Sequence, residues 1–437
     1  MNVKNNFIEE LKWRGMCHDL IPGTEDLLNE QTIGYIGFDP TSDSLGIGNL
    51  VQIMTLLHFQ QSGHKPIALI GGATGMVGDP SGKSSERKFL DEERLRFNQE
   101  KIKKQLEKFL NFNCGSNSAE VVNNYDWFKN VSFFDFVRNT GKYITINSMI
   151  SKDSVQNRLE NGMSFTEFTY QLMQGFDFHY LWKNKNVKLQ MGGSDQWGNI
   201  VTGIELIRKK EDGKAFAIIT PLIKKTDGTK FGKSENGNIW LGKDKTTPFQ
   251  FYQFWLNSSD DDVKKYIRIF TLFCREQINS LEEEHNKSPN LRILQKALAK
   301  DITCRVHSEE DCKNAIEISE ILFEDKTNKL TNISNEQLIL LAENVQKKTI
   351  LKSDLNDGIK LIEFLSNETK ICSSKSESKK LIHSKGIAIN KIIIGDVDFS
   401  VTKNDLINEK YIFVQKGKKN HFLVEVVDSF SAVEADN

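Results

Sequence analysis

Apolar residues in the first half of the chain follow two rhythms. The runs TIGYIGF (32–38), PIALIGG (66–72), VKLQMGG (187–193) and FAIITPLI (216–223) are short and nearly continuous, as in strands covered on both faces. Between them the period lengthens. Leu50, Ile53, Met54, Leu57 and His58 recur at helical spacing, and Gly63 follows as a stop signal. Residues 86–110, 165–182 and 195–210 read as helices in the same way. Strands alternating with helices predict an α/β fold with a mainly parallel sheet.

From about residue 246 the strand runs cease, and 247–345 reads as helices. Beyond Asp357 a pair of helices (358–367 and 376–384) precedes the short runs GIAINKIIIG, KYIFVQKG and FLVEVVD, which together predict a small α+β module. The expected organisation is therefore 1–245, a helical domain at 246–345, a linker at 346–356 and a C-terminal module at 357–437. Charge sharpens the last boundary. Residues 307–345 hold nine acidic side chains against three lysines, whereas 373–420 hold ten lysines against five acids.

A chain of 437 residues exceeds what one core usually supports, which agrees with several domains. No run approaches the roughly 20 apolar residues of a membrane span, and the N-terminus lacks a signal-peptide core. A cytoplasmic protein with no membrane partner is expected. The six cysteines form no C-x-x-C pair and no zinc spacing, so reduced structural thiols and no protein-bound metal are expected. A net charge of -1 does not by itself announce a nucleic-acid binder.

Four segments rich in glycine and polar residues follow the strand runs: GFDPTSDSLGIGN, GGATGMVGDPSGKSSER, GGSDQWGN and KKTDGTKFGKSENG. Any one alone is an ordinary turn. In a parallel sheet, however, all such turns face one crevice, where ligands bind. Gly46 and Gly48 open the helix at 49–61 and leave room for a phosphate-bearing ligand over its N-terminus. Lys230 and Lys233 lie in a glycine-flanked loop and suit phosphate as reachable point charges. Two other readings fail on single residues. GDPSGKSS would be a P-loop only with glycine at Val77, and GIGNLV lacks the third glycine of a dinucleotide fingerprint at Val51.

Taken together, YIGFDPTSDSL, GGATGMVGDPSGK, NNYDWF, SFTEFTYQLMQGFDF, QMGGSDQWGNI, DGTKFGKSE and FYQFW resemble the bacterial tyrosyl-tRNA synthetases, a class I aminoacyl-tRNA synthetase family. KFGKS resembles that family's mobile KMSKS loop, and GIGN stands in place of its HIGH signature. The resemblance implies a Rossmann-like catalytic domain, a helical domain and a small RNA-binding C-terminal domain. It also implies activation of L-tyrosine by ATP with Mg2+, transfer to tRNA(Tyr), and a homodimer formed through residues 120–165.

Roles follow by position. Tyr35 and Asp177 match the pair that recognises the phenol hydroxyl. Tyr170, Gln174 and Asp79 match the group around the α-ammonium, with Gln190 and Gln196 lining the same pocket. Gly37, Asp39, Gly48, Asn49, Gly193, Asp195 and Lys233 match nucleotide contacts. Thr41, Lys83, Arg87, Lys230 and Lys233 match groups on the departing pyrophosphate, and Lys375, Lys379, Lys380 and Lys385 match contacts to tRNA phosphates. Tyr170, Gln174 and Asp177 stand at i, i+4 and i+7, one face of a helix. The chain departs from the pattern at Gly46, where the family usually has histidine; Asn49 keeps a donor. A slower but active enzyme is expected. The alternatives are a catalytically impaired RNA-binding relative and a tryptophan-specific synthetase.

Overall fold

The computed structural model describes residues 6–81, 90–159, 162–234, 237–323, 333–417 and 420–429. Six strands form the first sheet: β1 (Asp19–Leu20), β2 (Ile33–Phe38), β3 (Lys65–Ile70), β4 (Glu120–Asn123), β5 (Leu189–Gly193) and β6 (Phe216–Thr220). Their spatial order is β1-β6-β5-β2-β3-β4. Only β1, against β6, is antiparallel; the other pairs are parallel. β5 is buried along its whole length, and β2 and β3 along most of theirs, which explains their unbroken apolar runs. From β2 the chain builds outward to β3 and β4 on one side and later to β5 and β6 on the other. The order therefore reverses between β2 and β5, and the carboxyl ends of these two strands flank a ligand crevice.

Three helices, α1 (Leu50–Gln61), α3 (Phe165–Lys185) and α4 (Trp197–Glu211), contribute to that crevice, while α2 (Glu92–Leu106) holds the loop after β2 through Asn98 and Gln105. Ser164 caps α3 by accepting from the Glu167 N–H, and Asn186 closes it in a left-handed conformation. Helices α3 and α4 meet at Gly175 and Gly203. A Cβ on Gly203 would lie 2.9 Å from Phe178 Cβ, so glycine permits a crossing that a side chain would force apart. This crossing sets the depth of Tyr170, Gln174 and Asp177 over the sheet.

Two compact units are formed, one within 1–246 and 254–307, the other within 247–253 and 308–437. In the first, α5 (Asp260–Phe270) is tied to the N-terminal helix Phe7–Arg14 by the buried Arg14 guanidinium, which donates to the carbonyls of Arg268, Thr271 and Phe273. The helical segment expected as a separate domain is thus divided, its residues 254–307 packing with the sheet. A small hairpin, β7 (Lys233–Ser234) with β8 (Gly237–Asn238), also belongs to this unit.

In the second unit, β9 (Gln346–Leu351), β10 (Ile359–Lys360), β11 (Ile387–Ile389), β12 (Ile392–Ile393), β13 (Ser400–Val401), β14 (Tyr411–Lys416) and β15 (Asn420–Val427) surround helix α6 (Lys375–His383). The main sheet has the order β12-β11-β14-β15-β9. The segment expected as a linker is corrected here: 346–351 is strand β9, parallel to β15 from Gln346↔Phe422 to Val427↔Leu351. Pairing with a strand some seventy residues later satisfies its backbone, which no local pattern announces. Among the described residues, no helix is long and apolar enough to cross a membrane.

Candidate active site

At the crevice between β2 and β5 lies a cleft of about 430 Å³. It gathers Tyr35, Gly37, Asp39, Thr41, Gly48 and Asn49 from β2 and the loop into α1. Asp79 comes from the loop after β3, and Tyr170, Gln174 and Asp177 come from α3. Gln190, Gly193, Asp195 and Gln196 belong to β5 and the turn beyond it. These residues, far apart in sequence, meet because each lies on a central strand, in a loop that follows one, or on the helix face above.

The closed end is built around Asp177, which is 2% exposed. Its Oδ1 accepts from Trp127 Nε1 at 2.8 Å and its Oδ2 from Asn124 Nδ2 at 2.9 Å. Burial dominates those two bonds and pushes the carboxyl up to about 8. The Trp127 ring stacks on Tyr180 with centroids 4.5 Å apart, which fixes the indole donor. Beside Asp177, Tyr35 and Gln190 are register partners across β2 and β5, so their side chains leave the same face. Tyr35 Oη and Gln190 Oε1 are both buried and make no hydrogen bond within the described residues. Buried polar atoms left unpaired in a native core are rare and point to a polar ligand. The Tyr35 hydroxyl is held well above its usual range by burial and by Asp177.

A second layer leads outward. Asp39 Oδ2 accepts from the Tyr170 hydroxyl at 2.7 Å and Oδ1 from Thr74 Oγ1 at 2.9 Å. Thr74 Oγ1 in turn accepts from Asn124 Nδ2 at 3.0 Å, so one amide spans from Asp177 to the partner of Asp39. On the other wall, Gln196 Nε2 donates to Asp79 Oδ2 at 2.7 Å and Asn199 Nδ2 to Gln174 Oε1 at 3.0 Å. Asp79 also accepts from the Ser81 N–H at 2.9 Å.

The open end is different. Residues Ile47–Asn49 form a 3-10 turn leading into α1, with Gly46 capping it in an ordinary extended conformation. Asn49 Oδ1 is spent on the Gly46 N–H at 3.1 Å. A Cβ on Gly48 would meet nothing within 4 Å, and one on Gly46 only Ile239 O at 3.7 Å and Asn49 Oδ1 at 3.9 Å. Gln52, one turn further along α1, lines the cleft and donates to Thr220 Oγ1 at 2.8 Å.

Four aspartates line the cleft (Asp39, Asp79, Asp177 and Asp195), and among the described residues no lysine or arginine does. Apart from Asp177, whose proton burial retains, these acidic side chains suit an ammonium group and oppose a polyphosphate. Lys230 and Lys233 stand exposed on the neighbouring glycine-flanked loop, outside the cleft wall. Lys83 and Arg87 lie outside the described residues. The four lysines of the C-terminal module are all exposed on α6 and the turn after it; Lys375 pairs with Glu363, while Lys385 holds a left-handed turn.

Asn124, Trp127, Thr74, Asn199 and Gln52 were not singled out from the sequence. The first two had a signal in NNYDWF, whose asparagine and tryptophan are too polar and too large for an ordinary strand-to-helix turn.

Residues 28–324 match the family described as tRNA synthetases class I (W and Y). The chain belongs to that family. Residues 342–424 match the tyrosine–tRNA ligase SYY-like C-terminal domain. Its relatives include a tyrosine–tRNA ligase of Cytophaga hutchinsonii, 57% identical over 96% of this chain and 99% of the relative. Another, from Bacteroides fragilis, is 53% identical over 96% and 99%. Among solved structures it resembles a C-terminally truncated mitochondrial tyrosyl-tRNA synthetase of Aspergillus nidulans, with 30% identity and a TM-score of 0.65 over 71% of this chain and 92% of that one.

Proposed function

We infer that this chain is a tyrosine–tRNA ligase. The tyrosine carboxylate attacks the α-phosphorus of ATP, the bond to pyrophosphate breaks, and tyrosyl-adenylate forms. A hydroxyl of the terminal tRNA ribose then attacks the acyl carbon and AMP leaves. The nucleophile is already ionised, so the protein supplies position and charge rather than a general base.

The observation that carries the reading is the buried carboxyl group of Asp177 beside the unpaired Tyr35 hydroxyl. In this reading the pair holds the substrate phenol. Phenylalanine would leave the Tyr35 hydroxyl unpaired and offer Asp177 no further partner, a discrimination for which tyrosine-specific synthetases are themselves the standard example. Asp79, Gln174 and Tyr170 surround the substrate ammonium, with Gln190 and Gln196 beside them. Gly37, Asp39, Gly48, Asn49, Gly193 and Asp195 accommodate the nucleotide. Thr41, Lys83, Arg87, Lys230 and Lys233 neutralise the pyrophosphate. Magnesium belongs to the ATP substrate; among the described residues no cluster of three or more His, Cys, Asp or Glu side chains could hold an ion.

Tyrosine-dependent exchange between ATP and pyrophosphate, with phenylalanine and tryptophan as controls, tests the reading. Exchange with tyrosine alone supports it, and none in a folded protein that still binds tRNA would favour a non-catalytic RNA binder.

Two finer parts belong to the same proposal. Phe133, Phe134, Ile146 and Phe165 are 64%, 82%, 65% and 70% exposed, an apolar patch that suits a homodimer interface within and beside 120–165. Sedimentation of the full chain checks it; a monomer at micromolar concentration would sink it. Lys375, Lys379, Lys380 and Lys385 suit tRNA phosphates, which position without reading sequence. Replacing Lys379, Lys380 and Lys385 together by alanine should raise the KM for tRNA and leave tyrosine activation intact; an unchanged KM would remove them from the interface.

A further inference from the structure

The lysine-bearing loop presents two kinds of side chain. Lys230 and Lys233 are exposed, whereas Phe231 between them turns inward and is half-buried. Its ring lies 5.4 Å from that of Phe270 and nearly parallel to it, at 9°. Tyr266 is 5.1 Å away, and Phe254 and Trp255 are both at 5.9 Å. Trp255, Tyr266 and Phe270 are core residues, at most 2% exposed. The socket is thus part of the unit's interior, and only the ring that fills it comes from the loop.

The backbone around the ring is tightly turned, with Lys230 bridged to Lys224 and Lys233 paired with Asn238, so that movement of the lysines falls to their long side chains. Gly228 and Gly232 hold φ of 80° and 85°, a region open to glycine and strained for other residues. The loop is tied down before Gly228 by Thr226, which donates through N–H and Oγ1 to Asp262 Oδ1, and at Gly232 itself, whose carbonyl accepts from the Ile239 N–H at 3.0 Å. A Cβ on Gly232 would come within 2.6 Å of Ile47 Cγ2, so this glycine also lets the loop lie against the GIGN turn. Removing an aromatic ring from such a socket returns a large apolar surface to water, whereas a lysine moves through solvent at little cost.

We propose that Phe231 is the fixed pivot of this loop: its ring stays in the Phe254–Trp255–Tyr266–Phe270 socket while Lys230 and Lys233 swing from the surface to the pyrophosphate oxygens. Phe231 is then a positioning residue for tyrosine activation, acting through the two lysines. The proposal rests on the reading above that those lysines neutralise pyrophosphate. It opposes a latch, in which the ring must leave its socket before the loop can close.

Single-turnover formation of tyrosyl-adenylate distinguishes the two. With the pivot removed, Phe231→Ala should slow activation about 10–100-fold, the scale of a mispositioned catalytic group, with tyrosine affinity unchanged. Phe231→Tyr, which keeps the ring, should stay near the wild-type rate. Because the pivot acts through the two lysines, adding Phe231→Ala to the Lys230→Ala/Lys233→Ala double variant should slow it little further; a general loss of stability would add in full. Activation by Phe231→Ala at or above the wild-type rate, in protein that still binds tyrosine, would overturn the pivot and favour the latch. Wild-type protein without tyrosine-dependent exchange would instead refute the functional reading.

Discussion

The two ends of the cleft are built on opposite principles. At the closed end, Asp177, Asn124, Trp127, Thr74, Asp39 and Tyr170 hold one another through bonds of 2.7–3.0 Å before any ligand arrives. At the open end, glycines leave space, and the described cations stand on a loop outside the wall. In the proposed reaction the closed end would recognise a group that does not change, and the open end would answer charge that appears only as pyrophosphate departs. Rigid recognition and delivered charge are separable, because binding equally tight in ground and transition states does not speed the chemical step.

Breaking the open end should give the largest effect. Lys230→Ala or Lys233→Ala is expected to slow tyrosine activation about 10²–10³-fold, the scale for losing one donor to a developing anion. Equilibrium dialysis should find tyrosine affinity little altered; a parallel loss of affinity would mean that the two ends are not independent.

Breaking the closed end should show in selectivity first. Asp177→Asn turns an amide donor toward Trp127 or Asn124 and should reduce the preference for tyrosine over phenylalanine by roughly 10–100-fold, the range for a hydrogen bond to a charged group. The same carboxyl gives a pH signature. In the folded chain it keeps its proton until about pH 8, far above the ordinary value of 3.8. Its contribution to stability is therefore present at low pH and lost as pH rises toward 8. The substrate phenol donates best to the ionised form, so tyrosine affinity should rise over the upper part of that window. Titrations of wild type and Asp177→Asn would show this, the variant lacking the rise.

The smallest effect sharpens the comparison at Gly46. The backbone there is ordinary and a Cβ meets only normal contacts, so Gly46→His should fit. A donor restored at the open end is expected to raise the activation rate up to about tenfold without changing tyrosine affinity. Stopped-flow measurement decides it, and a rate at or below wild type would remove Gly46 from the argument.

The sequence made the sheet's centre readable because β2, β3 and β5 are buried on both faces and so carry unbroken apolar runs. Edge strands escaped for the converse reason. β4 is EVVN, half-buried throughout, and β9 begins with an exposed glutamine and lysine, so neither shows a period. Site residues at strand ends and on the α3 face could be read from glycine-rich turns and spacing. Asn124 and Trp127 could not be assigned, since their role depends on a carboxylate fifty positions away. The lysine loop's sequence pointed to phosphate, but the tight turns at Gly228 and Gly232 that set its position follow no period.

Strand β9 has a consequence for the order of assembly. Gln346 finds its partner at Phe422, so that sheet is completed only when β15 has been made. The first unit lies within residues 1–246 and 254–307, all of them earlier in the chain than β9. A chain growing from its N-terminus can therefore finish the tyrosine cleft while β9 still waits with an open edge, a slow, long-range closure of the kind that leaves a nascent chain exposed to mispairing. The module that would hold tRNA matures last.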